Sequence, residues 1–159
     1  YTAVDDLKTP EDDAGAGFIG EAGFGAGVFH LYVCVDRDLL VQNLAGDQDL
    51  AQKTLEALVR AVATASPSGK RNSFANRVRA EFILAEKGNA QPRTLANAFL
   101  QPVGKGDQTA LSAAALAKKR DEFVQVYGQD WTADLRLQVG AEDSATLDQI
   151  AEFAGAGLA

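Results

Sequence analysis

The chain has 159 residues, with 22 Asp+Glu against 15 Lys+Arg, a formal charge of −7, one His, one Cys and no Met. That length suits one domain with its own core, and 47% hydrophobic with 23% charged residues is ordinary for a soluble globular protein. One cysteine excludes an internal disulfide framework and a cysteine-based zinc site, no apolar run reaches the roughly 18 residues of a membrane-spanning helix, and the acidic balance taken alone argues against a nucleic-acid binder.

The sequence opens at Tyr1, carries no visible signal peptide and is read as a piece of a longer cytoplasmic protein or a processed form. Tyr1–Val4 reads as extended. An acidic stretch follows, with Asp5, Asp6, Glu11, Asp12 and Asp13 around Pro10, and then a run of glycines from Gly15 to Gly27. Such glycine density weakens any helix and favours turns or a hairpin. Glycines and like-charged acids supply little burial to offset ordering entropy, so two extended arms around a poorly ordered tip at Lys8–Gly17 are expected. Gly15–Gly20 is formally G-x-G-x-x-G. A dinucleotide site needs a strand before that motif and a helix straight after it, whereas here more glycines and a strand follow. The acidic cluster lacks the alternating ligand spacing of a calcium loop and reads as a solvated loop.

Val28–Val35 is the best strand of the sequence. It is almost wholly apolar and rich in β-branched and aromatic residues, so both its faces are expected to be covered. His30 and Cys34 share one side of it. Without a second His or a nucleophile motif nearby, His30 reads as a core or edge histidine and Cys34 as a small buried hydrophobe. Asp36 ends the strand and can cap a turn through Arg37–Leu40. From Asp47 or Gln48 to about Ala65, the residues Leu50, Ala51, Leu55, Leu58, Val59 and Val62 recur at helical spacing, and Ser66-Pro67-Ser68-Gly69 stops that helix. A second strand is expected over Arg77–Ala85, a short helix over Leu95–Leu100, a flexible link at Gly104-Lys105-Gly106, a long helix over Thr109–Tyr127, a strand over Asp134–Val139 and a last helix over Thr146–Phe153. The alternation of strand and helix indicates an α+β or βαβ arrangement with helices on a sheet.

The charge pattern carries the one local functional signal. Between Glu56 and Glu81 there is no acid, but there are Arg60, Lys70, Arg71, Arg77 and Arg79. The loop Ser66–Ser73 adds small residues, hydroxyls and backbone amides, which together with a cation can lie against phosphate oxygens. It lacks the glycine spacing and strand context of a nucleotide phosphate loop.

Several blocks together resemble one family. Tyr1-Thr2-Ala3-Val4-Asp5-Asp6-Leu7, Phe18-Ile19-Gly20, Gly27-Val28-Phe29-His30-Leu31-Tyr32, Leu39-Leu40-Val41-Gln42-Asn43-Leu44, Gly69-Lys70-Arg71-Asn72-Ser73-Phe74-Ala75 and Leu95-Ala96-Asn97-Ala98-Phe99 resemble, in order, segments of the Cascade backbone subunit, the CasC family of type I-E CRISPR systems. Beyond Lys105 the likeness rests on a long helix ending in Val126-Tyr127-Gly128. The resemblance implies an α+β fold with an RNA-recognition-motif-like (ferredoxin-like) palm and a β-hairpin thumb. This chain would be its C-terminal half, with residues 1–27 as partial thumb and 28–159 as the rest of the palm. It implies a non-catalytic, cytoplasmic subunit that polymerises along guide RNA and presents it for pairing with target DNA in antiviral defence. Its partners would be guide RNA, target DNA through the guide, further copies of itself and other Cascade subunits, with no membrane, metal or cofactor. By position, Tyr1, Thr2 and Ile19 match thumb residues beside a displaced nucleotide, where Tyr1 and Ile19 offer apolar surface to any base. Lys70, Arg71, Asn72 and Ser73 match a loop near the guide backbone, where contacts position RNA without reading it. The alternative reading is a small α+β ligand-binding or enzyme domain with a site near His30; a third is an oligomerisation fragment without a ligand.

Overall fold

The computed structural model of the chain describes residues 2–3, 18–21, 23, 25–69, 71–75 and 77–158. Its strands are β1 (Thr2–Ala3), β2 (Phe18–Ile19), β3 (Phe82–Lys87) and β4 (Ala133–Gln138). Its helices are α1 (Arg37–Asn43), α2 (Gln48–Thr64), α3 (Arg71–Phe74), α4 (Gln108–Tyr127) and α5 (Leu147–Gly155), with a 3-10 turn at Ala96–Phe99. The fold is mixed α+β. None of these helices is long and apolar enough to cross a membrane.

Helix starts follow from local chemistry. The carboxylates of Asp36, Asp47 and Asp107 accept from the backbone N–H groups of Leu39, Leu50 and Ala110, and each opens a helix in this way. Thr146 and Gln149 exchange side-chain and backbone hydrogen bonds in a capping box at α5. The α2 stripe is as expected in part: Ala51 and Leu55 are buried, joined by Ala63, against Ile150, Ala151 and Gly155 of α5, whereas Leu50 and Val62 are exposed. The two helices approach closely because Gly155 has no side chain. A Cβ there would lie 2.8 Å from Gln52 Cγ and 3.1 Å from Glu56 Cγ.

β3 and β4 form an antiparallel ladder running from Phe82↔Gln138 to Lys87↔Ala133. The antiparallel pairing overturns the βαβ alternative, in which the joined strands would be parallel. Cross-strand partners share a face, so Ile83 with Leu137, Ala85 with Leu135, and Lys87 lie on one side. That side carries α5. Lys87 Nζ sits 4.5 Å from the centre of the Phe153 ring and donates to the Ala156 carbonyl at 2.7 Å. Arg37 donates to the same carbonyl at 2.6 Å, so two cations meet the negative end of the α5 dipole. Burial, and then the charge of Arg37, push the Lys87 pKa below its ordinary value.

Three expectations are corrected. The second strand begins at Phe82 rather than Arg77, because the backbone before it is tied to the end of α2 instead: Ala80 N–H donates to the Ala63 carbonyl at 2.9 Å. The Lys70–Ser73 region is not wholly loop, since Arg71–Phe74 closes one helical turn. The largest departure is Val28–Val35. No strand is assigned there, and Val28, Phe29, Leu31, Tyr32 and Val33 are exposed, Phe29 at 87%. Cys34 is exposed as well. Strand preference expresses fit to a pleated, half-buried surface, and among the described residues nothing pairs with this backbone.

This exposed segment should bind a hydrophobic dye. The chain is expected to enhance 8-anilinonaphthalene-1-sulfonate fluorescence in its folded state, and Phe29→Asp with Leu31→Asp should remove most of the enhancement without lowering the melting temperature. An unchanged signal in the double variant would move the dye site to other apolar surface such as Leu100 or Tyr127.

Candidate nucleic-acid interface

The expected site residues fall on two elements. Thr2 and Ile19 are direct cross-strand partners in the antiparallel pair β1–β2, with Ala3 opposite Phe18, so the fold joins two thumb positions that sixteen intervening residues separate in sequence. The second group surrounds α3. Arg71 opens it and is exposed, and Asn72 and Ser73 follow within the turn. Tyr1, Lys70 and the expected tip Lys8–Gly17 lie outside the described residues.

The segment carrying α3 leaves the end of α2 and returns beside it. Ser66 Oγ accepts from Val78 N–H at 2.9 Å and faces the Val78 carbonyl at 3.4 Å. One hydroxyl thus closes both ends of the excursion through residues 67–77. Of the five cations in this acid-free stretch, Arg60 is engaged elsewhere. It forms a short hydrogen-bonded ion pair with Asp148 of α5, and that hydrogen bond is the main cause raising its pKa. Arg71, Arg77 and Arg79 are all exposed, and no carboxylate or carbonyl among the described residues partners them.

The remaining arginines are arranged in the opposite way. Glu86 on β3 stands directly across the ladder from Asp134 on β4, a like-charge pair that is unfavourable by itself. Arg120 of α4 bridges the two, with Nε 2.8 Å from Glu86 and an Nη nitrogen 3.0 Å from Asp134. Arg93 adds a second bond to Glu86 at 2.8 Å and approaches Asp130 at 3.4 Å. Both guanidinium groups lie against the Trp131 ring, at 3.8 Å for Arg120 and 4.9 Å for Arg93, and the indole N–H donates to Asp134 at 3.0 Å. Beside this cluster a Cβ on Gly88 would fall 2.7 Å from the Asp130 carbonyl oxygen. Sequence reasoning missed the cluster entirely, because its members come from four separate stretches of chain, at residues 86, 93, 120 and 130–134. Its cations are spent on carboxylates, so it holds α4 to the sheet rather than offering charge to a ligand.

His30 lies with its ring 5.3 Å from that of Phe99. Among the described residues no three His, Cys, Asp or Glu side chains gather as a metal site would require. An open groove of about 540 Å³ runs between β4 and α5, lined by Leu135, Asp143, Ser144, Gln149, Glu152 and Phe153. Its carboxylates repel a phosphate chain, whereas the α3 excursion presents three exposed, unpartnered arginines among the described residues.

Residues 1–155 match the model of the CT1975-like protein family. The chain belongs to that family. Two solved structures have the same fold. A chain titled "CRISPR RNA-guided surveillance complex, pre-nicking" superposes with a TM-score of 0.78 at 24% identity, covering 98% of this chain and 48% of its own. A chain titled "CRISPR RNA-guided surveillance complex" gives 0.75 at 26% identity, covering 94% and 56%. This chain therefore spans about half the length of those two. No curated protein matches it. Family and fold bear out the resemblance to the Cascade backbone subunit and the mixed α+β class, and they support a CRISPR-associated role.

Arg120→Met should leave Glu86 and Asp134 facing each other across a half-buried ladder and cost about 2 kcal/mol of stability, read as a lower urea midpoint. Arg120→Lys should recover only part, since an ammonium cannot make the planar fork and stacks less well on indole. Adding Asp134→Asn to Arg120→Met should restore some of the loss. Full stability in Arg120→Met would show that the bridge does not hold the sheet to α4.

Proposed function

We propose that this chain is part of a non-catalytic backbone subunit of a type I-E surveillance complex in the cytoplasm. The subunit binds guide RNA, assembles along it with further copies of itself and with other subunits, and presents the bases for pairing with target DNA. The observation that carries this reading is the acid-free excursion at α3. A chain of charge −7 keeps three arginines exposed and unpaired there while engaging every other described arginine. Such a surface suits phosphate, whose contacts fix register without reading sequence. The family match and the likeness to surveillance-complex chains support the same reading.

The roles follow by position. Tyr1, Thr2 and Ile19 lie beside a displaced nucleotide, where Tyr1 and Ile19 offer it apolar surface, and Thr2 stands opposite Ile19 in the β1–β2 pair. Lys70, Arg71, Asn72 and Ser73 meet the guide backbone. Residues 1–27 serve as the thumb and 28–159 as part of an RNA-recognition-motif-like palm. Within that palm Val28–Val35 acts as a strand whose partner strands come from outside this chain, which accounts for eight consecutive residues of strand-forming character left unpaired and largely exposed.

Lys70→Ala with Arg71→Ala in the full-length subunit should weaken guide-RNA binding almost independently of RNA sequence. The slope of log affinity against log salt should shrink by about one to two units, since each lost phosphate contact releases fewer counterions. Titration at several salt concentrations measures it. An unchanged slope, or a loss confined to certain sequences, would remove the loop from backbone binding. The full-length subunit should also leave guide and complementary RNA intact in magnesium or zinc. Cleavage at regular spacing that Asp5→Ala or Asp6→Ala abolishes would make the chain a nuclease instead.

A further inference from the structure

The acid-free stretch holds more than the Lys70–Ser73 loop. Arg77 and Arg79 lie beyond α3, where the chain returns to the end of α2. They flank Val78, whose N–H is held by Ser66 Oγ at 2.9 Å, and the next residue, Ala80, donates to Ala63 at 2.9 Å. Their backbone is thus tied at two successive points to a helix terminus, and α2 is itself anchored on α5. Both side chains are exposed. Together with Arg71 they are the only described arginines without a carboxylate or carbonyl partner. Two residues of chain span at most about 6.6 Å, so both arginines issue from one short length of backbone held at Val78 and Ala80.

Leaving that pair unneutralised has no stabilising value, because neighbouring like charges repel. The Ser66 hydroxyl spends its hydrogen-bonding capacity on Val78 and so fixes the presentation of the cations on either side. We infer that Arg77 and Arg79 form a second phosphate-binding pair for the backbone of the guide RNA, and that Ser66 is the positioning residue that holds this pair beside the α3 loop. The inference rests on the guide-RNA reading above and adds three residues to its site. Arginines on a tied backbone lose less backbone freedom on binding than charges on a loose loop, and their planar forks take phosphate oxygens in pairs.

The test uses the full-length subunit and guide RNA, titrated at several salt concentrations. Arg77→Ala with Arg79→Ala should lower affinity about tenfold at low salt and reduce the salt slope by about 1.4, at roughly 0.7 per contact for single strands. Arg77→Lys with Arg79→Lys, which keeps the charge, should retain most of the slope. Ser66→Ala should lower affinity and slope part of the way, and Ser66→Thr, which keeps the hydroxyl, should restore both. Lys53→Ala with Lys105→Ala removes two exposed cations elsewhere and should leave the slope unchanged. Equal losses in that control would reduce the effect to net charge and overturn the inference. So would an unchanged slope in the Arg77 and Arg79 variant while Lys70→Ala with Arg71→Ala still lowers it, an outcome that leaves the guide-RNA reading standing. A loss seen on single-stranded DNA but not on guide RNA would likewise overturn it. If the wild-type subunit shows no salt-dependent binding to guide RNA, both readings fall together.

Discussion

Arg120 decides how the sheet is assembled. The β3–β4 register sets Glu86 against Asp134, and two carboxylates on one face of a half-buried ladder oppose that register. The guanidinium group of Arg120, reaching from α4, meets both at 2.8 and 3.0 Å and converts the repulsion into a three-way link. Arg93 and the Trp131 ring complete the enclosure. The register, the position of α4 and the turn leading into β4 therefore depend on one another. The other face of the sheet is held differently, by α5 and then α2, through Ile150, Ala151 and Leu55.

This arrangement divides the described arginines into two populations. Arg37, Arg60, Arg93, Arg120 and Arg136 are engaged by carboxylates or by the carbonyl at the end of α5. Arg71, Arg77 and Arg79 are left for solvent or a ligand. The overall acidic charge, which by composition speaks against a nucleic-acid partner, is thus a poor guide. What a polyanion meets is a local surface, and at about 0.15 M salt charges more than about 8 Å away are largely screened. A basic excursion can act on its own terms in an acidic chain.

The long helices, the aspartates that open α1 and α2, and the Ala51 and Leu55 part of the α2 stripe were legible in the sequence because each is decided within a few residues. Local hydrogen bonding and 3.6-residue periodicity suffice for them. The acid-free stretch was legible for the same reason. The Val28–Val35 strand was not, although its composition is the most strand-like in the chain. Composition reports a preference for a pleated surface, while a strand exists only where another backbone offers its N–H and C=O groups. The start of β3 failed similarly: Arg77–Ala80 alternates as a strand should, but the N–H groups of Val78 and Ala80 go to Ser66 and Ala63 instead of a neighbouring strand.

The sequence by itself determined where the long helices run, that Ala51 and Leu55 of α2 face the interior, where the positive charge concentrates and which family the blocks resemble. Each of these is a matter of neighbours in the chain. Tertiary structure alone decided the antiparallel pairing of β3 with β4, the meeting of Arg93, Arg120, Trp131, Glu86 and Asp134, the alignment of Thr2 with Ile19, and which arginines remain unpaired. Those outcomes depend on contacts across tens of residues. No local pattern encodes them, because an arginine looks the same in sequence whether or not the fold brings a carboxylate within 3 Å of it.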